Sequence, residues 1–374
     1  MSKRLVLGVT LGGSSRLLDG QAAYFKQLGY DVYLISQDHY KEKLFCEREG
    51  VAHLPIDIVA DINPLSDFRS LIQIIHQLRR VKPDIVNVGT PKMGLLGIVA
   101  ASILGVKCRV YTCRGLRFET EKGFKRKLLM WMEWLTVRLA NKVIYVSPSL
   151  KNAALRYKVG KKNKSVTIGM GSSNGVDLSR YNQDKISQQA RRQLLKKLSL
   201  KGKFVIGFVG RVTRHKGVYE LVKAFEQLYS VYPNIRLVLM GHLKCDQDFE
   251  AHFRGHPAII HIPFQDDVPL YMSLFDTLVL PSWREGFPSV PIQAAAMGIP
   301  VIVSDATGCV DSISENQNGL VFEMKKIQAL KVKLSIYIND IELREKHGVE
   351  GIAWAKNFEP GKIWEGIDRV YTTV

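Results

Sequence analysis

Cysteine is scarce in this chain. Only five occur in 374 residues, at Cys46, Cys108, Cys113, Cys245 and Cys309, odd in number and with no C-x-x-C pair. That excludes a disulfide-stapled scaffold and a zinc ribbon, and it suits a reducing cytoplasm. The nine histidines carry no metal-ligand spacing either, so no metal site is expected. Long apolar runs are missing. Met93 to Val106, the longest, falls well short of the roughly 20 residues that cross a bilayer, and the run after Lys3-Arg4 stops at Gly12-Gly13, too early for a secretory leader. Low-complexity tracts and short-period repeats are absent. Acidic residues are also in deficit, 35 against 53 basic ones, for a net charge of +18. The deficit is uneven: residues 1–181 hold 29 Lys/Arg and 14 Asp/Glu, a net +15, and the remainder a net +3. The first half is therefore built to meet something anionic. Its basic and aromatic residues form no RNA- or DNA-reading motif, so nucleic acid is not the expected partner.

What is present is a repeated strand-and-helix alternation. Strand-length apolar runs recur at Leu5–Leu11, Asp31–Ile35, Ile85–Val88, Val110–Tyr111 and Val143–Val146. After a charged, irregular stretch around residues 182–203 they restart at Phe204–Val209, Ile235–Met240, Ile259–Ile262, Thr277–Leu280 and Val301–Val303. Two βαβ series in a chain too long for one core predict two doubly wound α/β domains. The Asn174-Gly175 turn marks the boundary, giving domains over 1–175 and 176–357. Phe358 to Tyr371 reads as a terminal helix able to return to the first domain. Two such domains facing across a cleft would line it with strand-end loops.

Two of those loops carry chemistry. Glu285 to Gln293, E-G-F-P-S-V-P-I-Q, lies between the Thr277–Leu280 run and a helix opening, where free amides face negative charge in open α/β sheets. Gly210-Arg211-Val212-Thr213-Arg214-His215-Lys216-Gly217 follows Phe204–Val209 directly. Glycine allows close backbone approach while Arg211 and Lys216 place two cations at one strand end, a geometry that fits a diphosphate. A solvated basic turn is the bland alternative, and the second loop weighs against it.

Together with Asn174-Gly175-Val176-Asp177, these motifs resemble the retaining, nucleotide-sugar-dependent glycosyltransferases of family 4, which have the two-domain GT-B fold of facing Rossmann-like domains. The resemblance spans nearly the whole chain and is strongest in the second half. It implies that Arg211 and Lys216 hold the donor diphosphate and that Glu285 lies near the donor sugar. It also implies that Gly210, Gly286, Phe287, Pro288 and Ser289 surround the donor. The family's second glutamate, which binds the ribose, is replaced here by Gln293, a neutral amide that still accepts and donates hydrogen bonds. The implied reaction is front-face transfer with retention, in which the leaving diphosphate helps to take the acceptor's proton. It needs no protein nucleophile, no cofactor beyond the UDP-sugar substrate and no metal, because two fixed cations neutralise the diphosphate.

The first domain is expected to hold the acceptor. Gly12-Gly13-Ser14-Ser15 follows strand one and opens a helix; Lys92 and Arg114 also follow strands, and Asn174 closes the domain. Family members carry a histidine near Arg114, which makes Arg114 a candidate for an acceptor phosphate, against a plain structural arginine. The segment from Gly123 to Arg138 is basic at its start and rich in Trp, Met and Leu, as in a helix lying on an anionic membrane surface; a buried core helix is the alternative. The resulting expectation is a cytoplasmic enzyme, peripheral on the inner face of the cell membrane. It would move a sugar, an N-acetylated hexosamine or deoxyhexosamine, from a UDP-sugar to a polyprenyl-diphosphate-linked saccharide in capsule, O-antigen or glycan assembly. A UDP-sugar epimerase of the same fold and a non-enzymatic anion- or nucleic-acid-binding protein are the alternatives; the first would form product without acceptor and the second would bind oligonucleotides in a salt-sensitive way.

Overall fold

Strands buried on both faces read as nearly continuous apolar runs, and such runs build both sheets. The computed structural model describes residues 2–59 and 61–374, and the chain divides into one unit of residues 1–175 and 360–374 and another of residues 176–359.

The first unit alternates β1 (Arg4–Gly8), α1 (Gln21–Gln27), β2 (Asp31–Gln37), α2 (Tyr40–Glu49), β3 (Ala52–Ile56), α3 (Pro64–Val81), β4 (Ile85–Gly89), α4 (Pro91–Ile103), β5 (Cys108–Cys113), α5 (Gly123–Leu139), β6 (Lys142–Tyr145), α6 (Pro148–Arg156) and β7 (Ser165–Val166). These strands form a parallel sheet in the order β3-β2-β1-β4-β5-β6-β7. Val6 of β1 lies between Tyr33 of β2 and Val86 of β4. The winding therefore reverses between β1 and β4.

In the second unit, α7 (Gln188–Lys197) precedes β8 (Phe204–Val209), α8 (Val218–Tyr229), β9 (Ile235–Met240), α9 (Gln247–Arg254), β10 (Ile259–Ile262), α10 (Val268–Met272), β11 (Thr277–Leu280), α11 (Ser289–Ala296), β12 (Val301–Ser304), β13 (Gly319–Phe322), α12 (Ile327–Asn339) and α13 (Ile341–Ala355). Its parallel order is β10-β9-β8-β11-β12-β13, with the reversal between β8 and β11. Ile206 of β8 sits between Leu237 of β9 and Thr277 of β11. Apolar side chains fill both faces of this sheet, Phe208, Phe225 and Tyr337 on one and Phe275, Ile292 and Phe358 on the other. The last helix, α14 (Pro360–Thr372), returns to the first unit, where Ile363, Ile367, Val370 and Tyr371 join Leu5, Leu7, Phe25 and Ile85 in one core.

Local signals set the helix ends. Asn63 caps α3 by accepting from Ser66 N at 3.1 Å, with Pro64 in the first turn, and Ser147 with Pro148 does the same for α6. Sequence and structure differ at three places. β1 stops at Gly8 rather than Leu11, although Val9 N still donates to Ile35 O and Thr10 O still accepts from Gln37 N, and the Thr10 side chain bonds Thr90. The glycine turn after it opens a short 3-10 turn, Ser14–Leu18, and α1 begins only at Gln21, after Gly20. β3, β7 and β13 are strands that apolar runs did not signal: β3 contains Pro55 at an edge, β7 is two residues long, and β13 is a four-residue edge strand that opens on Gly319.

Beneath α5, Tyr111 donates to Glu133 Oε2 at 3.2 Å and the Cys113 thiol donates to its Oε1 at 3.5 Å. Burial pushes the Glu133 carboxyl up to about 7. The same burial raises Tyr111 and Cys113, which stay protonated near neutrality. Between its ordinary value and 7 the native chain keeps a proton that the unfolded chain has lost, so this group lowers stability as pH rises through that window. Glu133→Gln should remove that slope. Its thermal midpoint relative to the unsubstituted protein is expected to climb from pH 5 to pH 7 and level off above; a gap independent of pH would show that Glu133 is not held neutral.

Candidate active site

Lys216 Nζ donates to Glu285 Oε1, and the two residues come from loops 69 positions apart. They meet because β8 and β11 are neighbours at the winding reversal, the place where open α/β sheets bind ligands. Their side chains are 19 and 16% exposed, so each charge is partly stripped of water and the pair is held by the fold rather than by solvent.

The loops carrying them are laced together. Trp283 N donates to His215 O and Glu285 N to Thr307 O, each at 2.9 Å, while Ser304 Oγ donates to Ser282 O at 2.5 Å. Gly217 stands at φ +72°, where a Cβ would come 1.9 Å from Pro281 O. Only glycine permits that approach, and it is this approach that sets Lys216 beside Glu285.

Positive charge converges here. Burial, then the charges of Lys216, Arg284 and Arg211, hold the His215 imidazole below its ordinary value, and Glu285 only partly offsets them. Arg211 is exposed, and no carboxylate of the described residues lies within ion-pair distance of it. α11 starts at Ser289 after Pro288, and its first amides, on Ser289 and Val290, add the positive end of the helix dipole. Gly286 and Pro288 are buried in the loop, and Phe287 packs on Phe358 with ring centroids 5.1 Å apart. Gln293 is half-buried one turn after Ser289, on the same helix face. Gly210 joins β8 to the loop at φ +151°, its N–H donating to Met240 O at 2.9 Å.

Three buried polar atoms at the same strand ends, Thr213 Oγ1, Ser282 Oγ and Trp283 Nε1, have no hydrogen-bond partner among the described residues. Buried groups of this kind call for a partner, which a polar ligand or water at these strand ends would supply. Sequence reading missed these three and Arg284, although Ser282 to Arg284 directly precede Glu285. Among the described residues no group of three or more His, Cys, Asp or Glu side chains is placed to hold a metal ion.

The first-unit candidates are more dispersed in role. Gly12 N donates to Gln37 Oε1 at 3.0 Å and packs so closely on His39 that a Cβ would meet the ring at 2.4 Å. Gly13 is left-handed at φ +83°, and Ser14 N bonds Leu11 O at 2.9 Å. Ser15 is buried. The start of α1 is already served by Glu49, which accepts from Gly20 N and Ala23 N at 3.2 and 3.1 Å. Lys92 is buried, bonded to Asp61 O and paired with Asp67. Asn174 accepts from Trp364 Nε1 and donates to Asp19 O, both at 2.7 Å, so its side chain locks α14 to the first unit.

Arg114 is different. Its Nε donates to Ser173 Oγ at 2.7 Å, and its guanidinium lies over Gly89, where a Cβ would meet it at 1.6 Å. Burial lowers it to about 10, and no carboxylate of the described residues pairs with it. A desolvated guanidinium at the end of β5 is a ready partner for an anion. Beside it, at the β1/β4 reversal, Thr10 and Thr90 share a 2.6 Å hydrogen bond and Thr90 holds φ +73°, a strained value for a branched residue.

Residues 190–354 match the family model described as glycosyl transferases group 1, and residues 11–180 the one described as Glycosyltransferase Family 4. The chain is 34% identical over 370 residues to the capsular polysaccharide biosynthesis glycosyltransferase CapM of Staphylococcus aureus, covering 98% of this chain and 96% of that one. This chain belongs to the family 4 glycosyltransferases. That decides for a transferase over the epimerase weighed from sequence. A second relative, 26% identical over 319 residues and covering 83% of this chain and 82% of its own, is the N,N'-diacetylbacillosaminyl-diphospho-undecaprenol alpha-1,3-N-acetylgalactosaminyltransferase of Campylobacter jejuni. HepE of Anabaena in complex with UDP superposes with a TM-score of 0.81 at 19% identity over the full length of both chains, and WaaG with 0.75 at 17% over 96 and 98%, which shows the GT-B fold.

The glycine dependence of the site is measurable. Gly217→Ala should combine left-handed strain, about 1–2 kcal/mol, with the clash against Pro281, and should lower both the thermal midpoint and the glycosyltransferase activity. Gly202→Ala, at φ +71° with no atom within 4 Å of its new Cβ, should show the strain alone and leave the activity unchanged. Equal effects of the two would remove the role given to the Gly217–Pro281 contact.

Proposed function

We propose that this glycosyltransferase moves a sugar, an N-acetylated hexosamine or deoxyhexosamine, from a UDP-sugar to a polyprenyl-diphosphate-linked saccharide, with retention, in capsule, O-antigen or related glycan assembly. The observation that carries the reading is the meeting of Arg211, Lys216, Glu285 and the start of α11 at the β8/β11 reversal. UDP is favoured as the nucleotide because HepE, of the same fold, has been solved with UDP and with UDP-glucose. A lipid-linked acceptor is favoured by the names of two relatives, the Campylobacter enzyme and a UDP-Gal:alpha-D-GlcNAc-diphosphoundecaprenol alpha-1,3-galactosyltransferase of Escherichia coli.

In this reading the work of the protein is placement and charge. As the sugar leaves, negative charge grows on the diphosphate, and Arg211, Lys216 and the α11 amides stabilise it without a metal or other cofactor. Glu285 orients Lys216 and faces the sugar, Gln293 takes the ribose, and Arg114 takes an acceptor phosphate. Replacing Arg211 by Ala should lower kcat/KM by about 10²–10³ at an unchanged thermal midpoint, since the side chain is exposed and unpaired. Lys216→Ala should lose as much activity but also some stability, because it strands Glu285. Full activity in both would remove the diphosphate assignment.

The same reading places the enzyme in the cytoplasm against the inner face of the cell membrane. No helix among the described residues is long and apolar enough to cross a membrane. α5 instead shows Phe124, Lys127, Trp131, Trp134 and Arg138 to solvent at helical spacing, with Phe124 80% and Trp131 55% exposed. α3 adds Leu65 and Phe68, 79 and 63% exposed. Aromatic side chains flanked by cations suit an anionic lipid surface. The protein should sediment with vesicles containing phosphatidylglycerol and less with neutral ones. Trp131→Ser with Trp134→Ser should weaken that binding at least tenfold while UDP affinity holds; undiminished sedimentation would move the contact elsewhere.

A further inference from the structure

A pocket in the first unit is used neither by the donor site nor by the lipid-facing helix surfaces. It lies among the starts of α3 and α4, the loop after β5, and α5, and has a volume of about 40 Å³. One water-sized sphere occupies roughly 10–15 Å³ on that measure, so the pocket admits a group of a few heavy atoms and excludes a sugar ring. Ile62, Phe118, Leu129 and Met132 supply apolar walls.

Arg117 lines the pocket from the solvent side, where it is exposed, so the enclosed polar capacity comes down to one group. Lys92 lines the pocket, but its ammonium is committed to Asp61 O and Asp67. The Thr136 hydroxyl donates to Met132 O at 2.8 Å. Glu133 is left, and its carboxyl receives only the long contacts from Tyr111 and Cys113. A carboxyl has about four acceptor sites, and when neutral it also donates. Held near 7, it does both around neutrality.

An apolar enclosure the size of a few atoms with one donor-acceptor group matches an acetamido substituent. The methyl is buried against carbon and the amide N–H is accepted by Glu133. A hydroxyl would leave the apolar walls unfilled, and a phosphate would bury its charge against Ile62, Phe118, Leu129 and Met132. Pro91 and Gly115 on the rim continue from β4 and β5, the strands whose ends carry Thr90 and Arg114. We propose that this pocket binds the acetamido group of an N-acetylated acceptor sugar, with Glu133 as its polar contact. This rests on the reading of the chain as a transferase to lipid-linked saccharides, and it names the feature of the acceptor sugar that is recognised.

The pocket can be tested without turnover. Saturation-transfer NMR on the full-length protein with methyl N-acetylglucosaminide should give its strongest enhancement at the acetyl methyl, and methyl glucoside should give little. Ile62→Trp, at a position already 43% exposed and so tolerant of substitution, should narrow the mouth and cut the acetyl enhancement at least fivefold. Glu133→Leu should do the same, with circular dichroism and UDP titration unchanged in both. An acetyl methyl no brighter than the ring protons, or one indifferent to both variants, overturns the pocket assignment. The donor reading fails by a different observation, absence of UDP binding to the unsubstituted protein, so the two failures are told apart in the same samples.

Discussion

The pairing of β8 with β11 is the constraint on which the meeting of Lys216 and Glu285 depends. These strands are neighbours in space but lie on opposite sides of two βα repeats in sequence, because the chain first winds outward through β9 and β10 and then reverses. At the reversal, helices leave in opposite directions and the two loops cannot cover each other. What fills the gap is backbone at very short range: Gly217 against Pro281, Gly241 against Gly210, and Gly308 against Glu285 and Gly286. Glycine at each of these points costs conformational entropy on folding, and in return the cation and the carboxylate are held by main chain rather than by flexible side-chain contacts.

The first unit repeats the topology with different chemistry. Its reversal lies between β1 and β4 and is closed by the Thr10–Thr90 hydrogen bond and a strained Thr90, not by an ion pair. The glycine-rich loop after β1 looks like an anion cradle, yet the nearby helix start is taken by Glu49, an internal carboxylate. One strand further along lies Arg114, a buried guanidinium that no carboxylate of the described residues pairs with. Two sheets of the same winding thus present different faces, one suited to a diphosphate and the other to an anion beside a small apolar pocket.

Much of this was legible because parallel strands announce themselves. Phe204–Val209, Ile235–Met240, Ile259–Ile262 and Thr277–Leu280 are strands over the very ranges their apolar runs suggest. That Lys216 and Glu285 each follow a strand was also legible, but their direct pairing was not, since it depends on β8 lying beside β11. What the sequence hid were partnerships made across long separations. Lys92 looks like a strand-end cation until Asp67 is seen to hold it, and Asn174 looks like a turn residue until Trp364, 190 positions away, donates to it. The α3 surface escaped notice for the converse reason: Leu65, Phe68 and Ile72 fit a helical apolar stripe, and only the fold shows that the stripe faces outward.

The return of α14 has a consequence for how the protein comes into being. Ile363, Ile367, Val370 and Tyr371 are part of the first unit's core, and the Tyr371 hydroxyl accepts from Asn87 at 2.6 Å in its interior. Residues 176–359 are contiguous and hold all of their own core. On the ribosome, where domains close as units once their residues have emerged, the later-made unit is therefore complete first. The earlier-made one waits, with its half-built basic sheet exposed, until α14 has emerged.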